Sequence, residues 1–132
     1  MAKESHYHHS AGSFRINIDL KDYTDEVVGS IRAAMYRSLE RIGLFTEKQA
    51  KTNLSKEWKH GHTHVVTGRL RNSITHYVDG DSVYVGTNVE YAQEEEEGSS
   101  KRPPHPYLRP AATGHEGDWK KIFENEFAKI KE

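Results

Sequence analysis

The sequence confines all four of its prolines to one short stretch, KRPPHPYLRP at residues 101–110, and this placement constrains the whole fold. Proline fixes the backbone angle φ and removes a hydrogen-bond donor. It also pushes the preceding residue toward extended conformations. We therefore expect residues 103–110 to be stiff, extended and excluded from the interior of a helix or sheet. The rest of the chain carries no proline, so long helices can form on either side of this segment.

Residues 24–59 place apolar side chains at mostly helical spacing, and this pattern predicts one long helix. Thr24 suits the N-cap position, and the acidic residues that follow it suit the helix dipole. Gly43 weakens the helix and offers a break, after which Thr46 and Gln49 would cap a second helix. We favour one continuous helix. A helix of this length overhangs a domain of 132 residues, which favours contact with neighbouring subunits.

Short alternating segments predict the β-structure. FRINIDL, residues 14–20, alternates apolar and polar side chains, which predicts a half-buried strand. SITHYV and SVYVGT flank the sequence Asp79-Gly80-Asp81, and an Asp-Gly pair between two such runs is a strong hairpin signal. The residues expected on the inner face of this hairpin are Ile74, His76, Val78, Val83 and Val85.

Three shorter segments predict further helices. GRLRNS predicts a short helix capped by Thr67, and NVEYAQEEEEG predicts one that Asn88 caps and Gly98 closes. Asp118 is expected to cap a C-terminal helix with an apolar stripe. The order of elements predicts an α+β fold, in which a long N-terminal helix and a C-terminal helix pack on a small antiparallel β-sheet.

Composition favours one folded domain that completes its core in an oligomer. Leu, Ile, Val and Phe make up only about a fifth of the chain. The 19 basic and 20 acidic residues give a net charge of −1, which argues against a general nucleic-acid binder. Residues 1–13 predict a flexible tail and residues 14–132 a single domain. We expect no disulfide, no membrane partner and no signal segment.

Few residues indicate catalysis or metal binding. His60, His62 and His64 alternate, and in a strand they would share one side, where imidazoles can bind zinc, copper or nickel. They lie in a glycine-containing loop without a carboxylate or cysteine at ligand-like spacing, so we favour a solvated loop. The sequence has neither a nucleophile elbow nor a phosphate-binding glycine loop. It therefore predicts a protein that is not an enzyme, with no cofactor and no bound metal.

Three other motifs leave alternatives open. The run Glu94–Glu97 indicates a solvated helix face or a surface that repels polyanions. Arg69 and Arg71 suit carboxylate pairing between subunits, which we prefer, or contacts with phosphate. Pro103 and Pro106 match the spacing of a polyproline-type ligand, but the usual flanking base is missing.

The order of three motifs, TGRLRNSI, VYVGTNVEYAQEEEEG and RPPHPYLRPA, resembles the tail-component or neck protein family of long-tailed bacteriophages and prophages. Members typically show a long helix, Thr-Gly-x-Leu-x-x-Ser, strands, Gly-Thr-x-x-x-Tyr-Ala with a following Glu and Gly, and then proline-aromatic-Leu-Arg-Pro-Ala. The matching positions here are Thr67, Gly68, Leu70 and Ser73, then Gly86, Thr87, Tyr91 and Ala92, then residues 106–111.

This resemblance implies a virion structural protein at the head–tail junction or in tail completion, without a reaction or cofactor. The implied partners are copies of itself in a ring and adjacent phage head-completion or tail proteins, with DNA only as passing cargo. The implied location is the neck or tail of the virion, and the host bacterial cytoplasm during assembly.

A ring subunit needs two different contact faces. We expect residues 103–110 to reach a neighbour through Tyr107 and Leu108, with a slight preference over attachment to their own domain. We expect Glu94, Glu95, Glu96 and Glu97 to face the lumen. The interface candidates are Arg69, Leu70, Arg71, Tyr91, Pro106, Tyr107, Leu108, Arg109 and Pro110. The alternative function is a DNA-binding accessory protein that uses Arg69, Arg71, Lys101 and Arg102.

Overall fold

The computed structural model describes residues 17–55, 68–101 and 103–130. Within these ranges the chain forms five helices and one two-stranded antiparallel sheet. The elements in chain order are α1 Asp25–Ser55, α2 Gly68–Ser73, β1 Thr75–Asp79, β2 Ser82–Gly86, α3 Ala92–Glu97, α4 Leu108–Ala111 and α5 Glu116–Phe127. This architecture confirms the predicted α+β fold. Of the described helices, none is long and apolar enough to cross a membrane.

Helix α1 is continuous over 31 residues and organises the domain. Its length is about 47 Å at 1.5 Å per residue. Thr24 caps it as predicted, because Thr24 Oγ1 accepts a hydrogen bond of 3.2 Å from the Val27 N–H. Gly43 causes no break. A Cβ at Gly43 would lie 2.7 Å from the His76 ring, so the glycine allows the hairpin to approach the helix closely.

The predicted hairpin forms, with its turn at the Asp-Gly sequence. Asp79 lies opposite Ser82, which leaves Gly80 and Asp81 as a two-residue turn. Gly80 has a φ of 65°, a left-handed value that glycine adopts without strain. The inner face of the hairpin packs on α1, and its side chains are the expected ones: Ile74, His76, Val78, Val83 and Val85.

The prediction of a strand at residues 14–20 is wrong for the part of it that the structure describes. Residues 17–20 form no strand, and residues 14–16 lie outside the described ranges. The backbone turns after this stretch, where the Tyr23 N–H donates a hydrogen bond of 3.2 Å to the Leu20 carbonyl. The predicted tail of residues 1–13 and the Thr67 cap also lie outside the described residues.

Two predicted helix caps are wrong. Helix α3 begins after Tyr91 instead of Asn88, because the Thr87 hydroxyl fixes a separate turn by accepting a 3.1 Å hydrogen bond from the Val89 N–H. Helix α5 begins after His115, and Asp118 lies inside its first turn. A carboxylate there suits the helix dipole as well as it would at the cap, so the sequence did not separate the two positions. Gly98 closes α3 as predicted.

Two apolar clusters pack along α1. The first, which we call the motif core, surrounds the C-terminal half of α1 and contains Ala50, Leu54, Leu70, Ile74, Val89, Ala92, Tyr107, Leu108 and Ala111. The second joins α1 to α5 through Leu39, Ile42, Trp119 and Phe123. The motif core holds residues from all three sequence motifs, and the candidate site lies around it.

Candidate functional site

The first and second sequence motifs meet through a chain of hydroxyl hydrogen bonds. Ser73 Oγ lies 2.5 Å from Thr87 Oγ1 and donates to the Leu70 carbonyl at 2.7 Å. Because the single hydroxyl proton of Ser73 is used in this way, the Thr87 hydroxyl is the donor between the two side chains. Thr87 Oγ1 in turn accepts from the Val89 N–H. This chain fixes the end of α2 against the turn that follows β2.

The second and third motifs meet at Glu96. Its carboxylate accepts hydrogen bonds from three consecutive backbone N–H groups, those of Tyr107 at 3.1 Å, Leu108 at 2.8 Å and Arg109 at 3.0 Å. These donors are the unpaired N–H groups at the start of α4. The next helical residue, Pro110, has no N–H, so Glu96 satisfies every donor of this first turn.

The same geometry corrects the expectation for the proline segment. Residues 108–110 lie in α4, whereas we expected the whole of residues 103–110 to be extended. Pro110 lies in the first turn of this helix and not in its interior. A proline is tolerated there because the first turn of a helix needs no intrahelical donor.

Glu95 fixes the proline segment at a second point. Its carboxylate Oε2 lies 2.7 Å from His105 Nδ1, and its backbone carbonyl accepts the His105 N–H at 2.8 Å. Both residues are buried, with His105 2 % exposed and Glu95 fully enclosed. Adjacent carboxylates therefore bind residue 105 and residues 107–109 from one short helix.

The interpretation of Glu94–Glu97 as a solvated face is wrong for two of its members. Glu95 and Glu96 are buried, whereas Glu94 and Glu97 are exposed. The sequence carried a signal for this difference, because Ala92, Glu95 and Glu96 follow the i, i+3, i+4 spacing of one helix face. Only Glu94 and Glu97 remain candidates for a lumen lining.

The expectation that Tyr107 and Leu108 attach to a neighbour is also wrong. Their side chains are 1 % and 6 % exposed and lie in the motif core of their own chain. The side-chain amide of Asn53, on α1, donates a 3.0 Å hydrogen bond to the Tyr107 carbonyl. The segment is therefore attached to its own domain at both its backbone and its side chains.

The remaining interface candidates differ in exposure. Leu70 is fully buried in the motif core. Half-buried side chains are Arg71, Tyr91 and Pro106, and exposed side chains are Arg69, Arg109 and Pro110. A contact with a neighbour can use the exposed and half-buried members, but Leu70, Tyr107 and Leu108 act inside the subunit.

Arg69 makes the predicted bidentate carboxylate pair, but within its own chain. Its two terminal nitrogens lie 3.2 and 3.1 Å from the carboxylate oxygens of Glu90. This hydrogen bonding raises the pKa of Arg69 and lowers the pKa of Glu90. The guanidinium also lies 5.7 Å from the centre of the Tyr91 ring. Arg71 donates to the Ser55 hydroxyl at 3.0 Å.

Sequence reasoning missed a charged cluster between α1 and the hairpin. His76 Nδ1 lies 2.7 Å from Glu47 Oε1, and His76 Nε2 lies 2.8 Å from Glu40 Oε1. Partial burial lowers the pKa of His76, but hydrogen bonds to the two carboxylates outweigh it, so the pKa is raised overall. The signal was the position of His76 on the apolar inner face, where an imidazole needs polar partners.

A second charged cluster joins α1 to α5. The Glu126 carboxylate accepts hydrogen bonds of 2.9 Å from both Arg37 and Arg41 and one of 3.2 Å from Lys129. The hydrogen bonds from Arg37 and Arg41 lower the pKa of Glu126 to about 2. This cluster fixes the C-terminal end of α5 against α1.

The structure brings no histidine, cysteine, aspartate or glutamate residues into a group of three that could hold a metal, within the described ranges. His60, His62 and His64, as well as Arg102, lie outside those ranges. Comparison of the chain with protein-family models, curated proteins and solved structures finds no match.

Proposed function

We propose that this chain is a structural subunit of a phage or prophage particle, without enzymatic activity, which assembles as a ring at the head–tail junction or in tail completion. The observation that carries the proposal is the joining of the three sequence motifs. Ser73 of the first binds Thr87 of the second, and Glu96 of the second binds residues 107–109 of the third. The motifs on which the resemblance depends therefore form one connected unit.

The polar residues of these motifs support a structural role by the bonds they make. Glu96 binds three backbone N–H groups, Ser73 binds a backbone carbonyl, and Thr87 binds a backbone N–H. Such contacts satisfy buried backbone groups, whose loss would be costly to stability. A rigid unit of this kind suits a subunit that must keep its shape within an assembly.

The shape and the surface of the chain support assembly with other subunits. Helix α1 is about 47 Å long, and several large apolar or aromatic side chains remain exposed on the domain. They are Tyr23, Tyr36, Leu44, Tyr77 and Tyr84. Aromatic side chains with polar tips are enriched at protein interfaces.

The proposal is tested by locating the protein in particles. Gold-labelled antibodies against the chain would be applied to purified phage particles from the bacterium that encodes it, and electron microscopy would locate the label. We expect label at one position between head and tail. We also expect a deletion strain to release unjoined heads and tails, with joining restored by the intact gene.

Absence of the protein from purified particles would overturn the proposal. Purified protein that shifts DNA in a gel, with binding that weakens steeply as salt rises, would instead favour the DNA-binding alternative.

A further inference from the structure

The outer surface of the hairpin exposes a pair of aromatic side chains. Tyr77 and Tyr84 lie directly opposite each other in the β-ladder and are 51 % and 39 % exposed. Because side chains alternate along a strand, this pair points away from α1, on which the other face of the hairpin packs. The hairpin face, as we call it below, consists of Tyr77, Tyr84, Asp79 at the end of β1 and Asp81 in the turn.

The hairpin face is acidic. Asp79 and Asp81 are both exposed, and residues 75–86 contain no lysine or arginine. The one histidine of the hairpin, His76, lies on the opposite side with Glu40 and Glu47. A partner for this face should therefore combine positive charge with apolar surface.

The exposed side of α1 carries such a combination. Arg37, Arg41, Leu44 and Lys48 follow a spacing of four, three and four residues, so they form one ridge on the helix. This set is called the α1 ridge below. Leu44 is 43 % exposed, and the side chains of Arg37 and Arg41 are 45 % and 46 % exposed.

The α1 ridge keeps a positive charge despite its internal ion pairs. Arg37, Arg41 and Lys129 share a single carboxylate, that of Glu126. Three cations on one anion leave an excess of positive charge, to which Lys48 adds. The ridge is thus complementary in charge to the hairpin face, and each surface has exposed apolar area at its centre.

We propose that the α1 ridge of one copy docks on the hairpin face of a second copy. Leu44 would pack against Tyr77 and Tyr84, while the arginines and Lys48 would lie near Asp81 and the aromatic rings. The inference rests on the proposed ring assembly and names the contact that builds it. Within one chain the two surfaces cannot meet, because the hairpin covers α1 with its opposite face.

A contact between two different surfaces is heterologous, so each copy keeps one surface available for the next copy. Repetition of the contact gives a closed ring or an open filament, whereas a two-fold dimer would need one self-complementary surface. This property allows a test with two variants that are each defective at one surface.

The test uses Leu44→Glu, which alters the ridge, and Tyr84→Ala, which alters the hairpin face. Leu44→Glu places a carboxylate opposite the aspartates of the hairpin face, and Tyr84→Ala removes an aromatic ring against which Leu44 would pack. Sedimentation velocity over a range of concentrations would measure self-association of the full chain. We expect the unmodified chain to associate as its concentration rises. For each variant we expect an association constant that is lower by a factor of about ten or more.

An equimolar mixture of the two variants is the decisive sample. The intact hairpin face of Leu44→Glu can bind the intact ridge of Tyr84→Ala, and no further contact can follow. The mass of one chain is 15.1 kDa, and we therefore expect a species of twice this mass and nothing larger. Tyr23→Glu is the matched control, because Tyr23 is exposed but belongs to neither surface, and its association should equal that of the unmodified chain.

Circular dichroism would verify that each variant is folded. The proposal is overturned if the unmodified chain stays monomeric up to its solubility limit, if folded variants associate like the unmodified chain, or if the mixture stays monomeric. Failure of the proposed function has a different signature, since the protein would then be absent from phage particles even though the two-variant mixture forms its dimer.

Discussion

Two regions of the molecule use carboxylates to fix a segment against the domain, and they do so in different ways. Around α3, Glu96 is buried and binds backbone N–H groups. Between α1 and the hairpin, Glu40 and Glu47 bind the imidazole of His76, which is only partly buried. The donors of the first arrangement are backbone N–H groups, which do not titrate. The second depends on the protonation of a histidine.

The largest expected effect comes from removing the carboxylate that binds the backbone. Glu96→Ala leaves three N–H groups of the α4 turn without an acceptor, so we expect a loss of about 3 kcal/mol in the free energy of unfolding. Urea denaturation followed by circular dichroism would measure this loss.

Glu97→Ala is the matched control for this change, because Glu97 is the exposed neighbour on the same helix. We expect its free energy of unfolding to stay close to that of the unmodified chain. If the free energy of unfolding of Glu96→Ala were as close to that of the unmodified chain as that of Glu97→Ala, Glu96 would act as an ordinary surface residue. The distinction between the two regions would then be lost.

Local patterns in the sequence predicted most of the fold. The continuous helix followed from apolar spacing without proline, and the hairpin followed from Asp79-Gly80 between alternating runs. Both signals arise from residues close together in the chain. The role of Glu96 could not be derived in the same way, since its partners lie 11 to 13 residues away and an acidic run is usually solvated.

The predicted attachment of Tyr107 and Leu108 failed for a related reason. Sequence shows that a segment is stiff and carries apolar side chains, but it does not show which surface will cover them. Here the covering surface is the C-terminal half of α1, through the motif core and the Asn53 amide. For Arg69 the sequence indicated a carboxylate partner but placed it on another subunit, whereas the partner is Glu90 of the same chain, 21 residues away.

The second prediction concerns the close approach of the hairpin to α1. In Gly43→Ala, the new methyl group would lie 2.7 Å from the His76 ring and 2.8 Å from Val83. We expect a loss of about 2 kcal/mol in the free energy of unfolding from this overpacking, in spite of the better helix propensity of alanine.

Gly29→Ala, in the same helix, is the matched control. A Cβ at Gly29 meets nothing within 4 Å, so only helix propensity should change, and stability should rise by up to about 1 kcal/mol. If both variants gained stability, the hairpin would not be closely packed on Gly43, and the His76 cluster would be less constrained than the Glu96 site.

The smallest expected effect is a dependence of stability on pH at the His76 cluster. The pKa of His76 is raised above its ordinary value of 6.5, and the pKa values of Glu40 and Glu47 are lowered below 4.5. The contribution of His76 is therefore fully present below pH 6.5 and is lost as the pH rises through the folded-state pKa. The two carboxylates lose their contribution only as the pH falls below 4.5, so the cluster should stabilise the domain most between these limits.

Urea denaturation between pH 6 and pH 9 would detect this dependence, and the imidazole proton signals in NMR would give the folded-state pKa of His76 directly. We expect the unmodified chain to lose stability as the pH rises, by less than the losses expected for Glu96→Ala and Gly43→Ala. We expect His76→Gln to show a flatter profile, because glutamine does not titrate. Glu96→Ala should keep the slope of the unmodified chain while its stability is lower at every pH, since the Glu96 site binds backbone groups. Parallel profiles for the unmodified chain and His76→Gln would mean that the histidine contributes without a change of its charge, and neither region would then have a titrating donor.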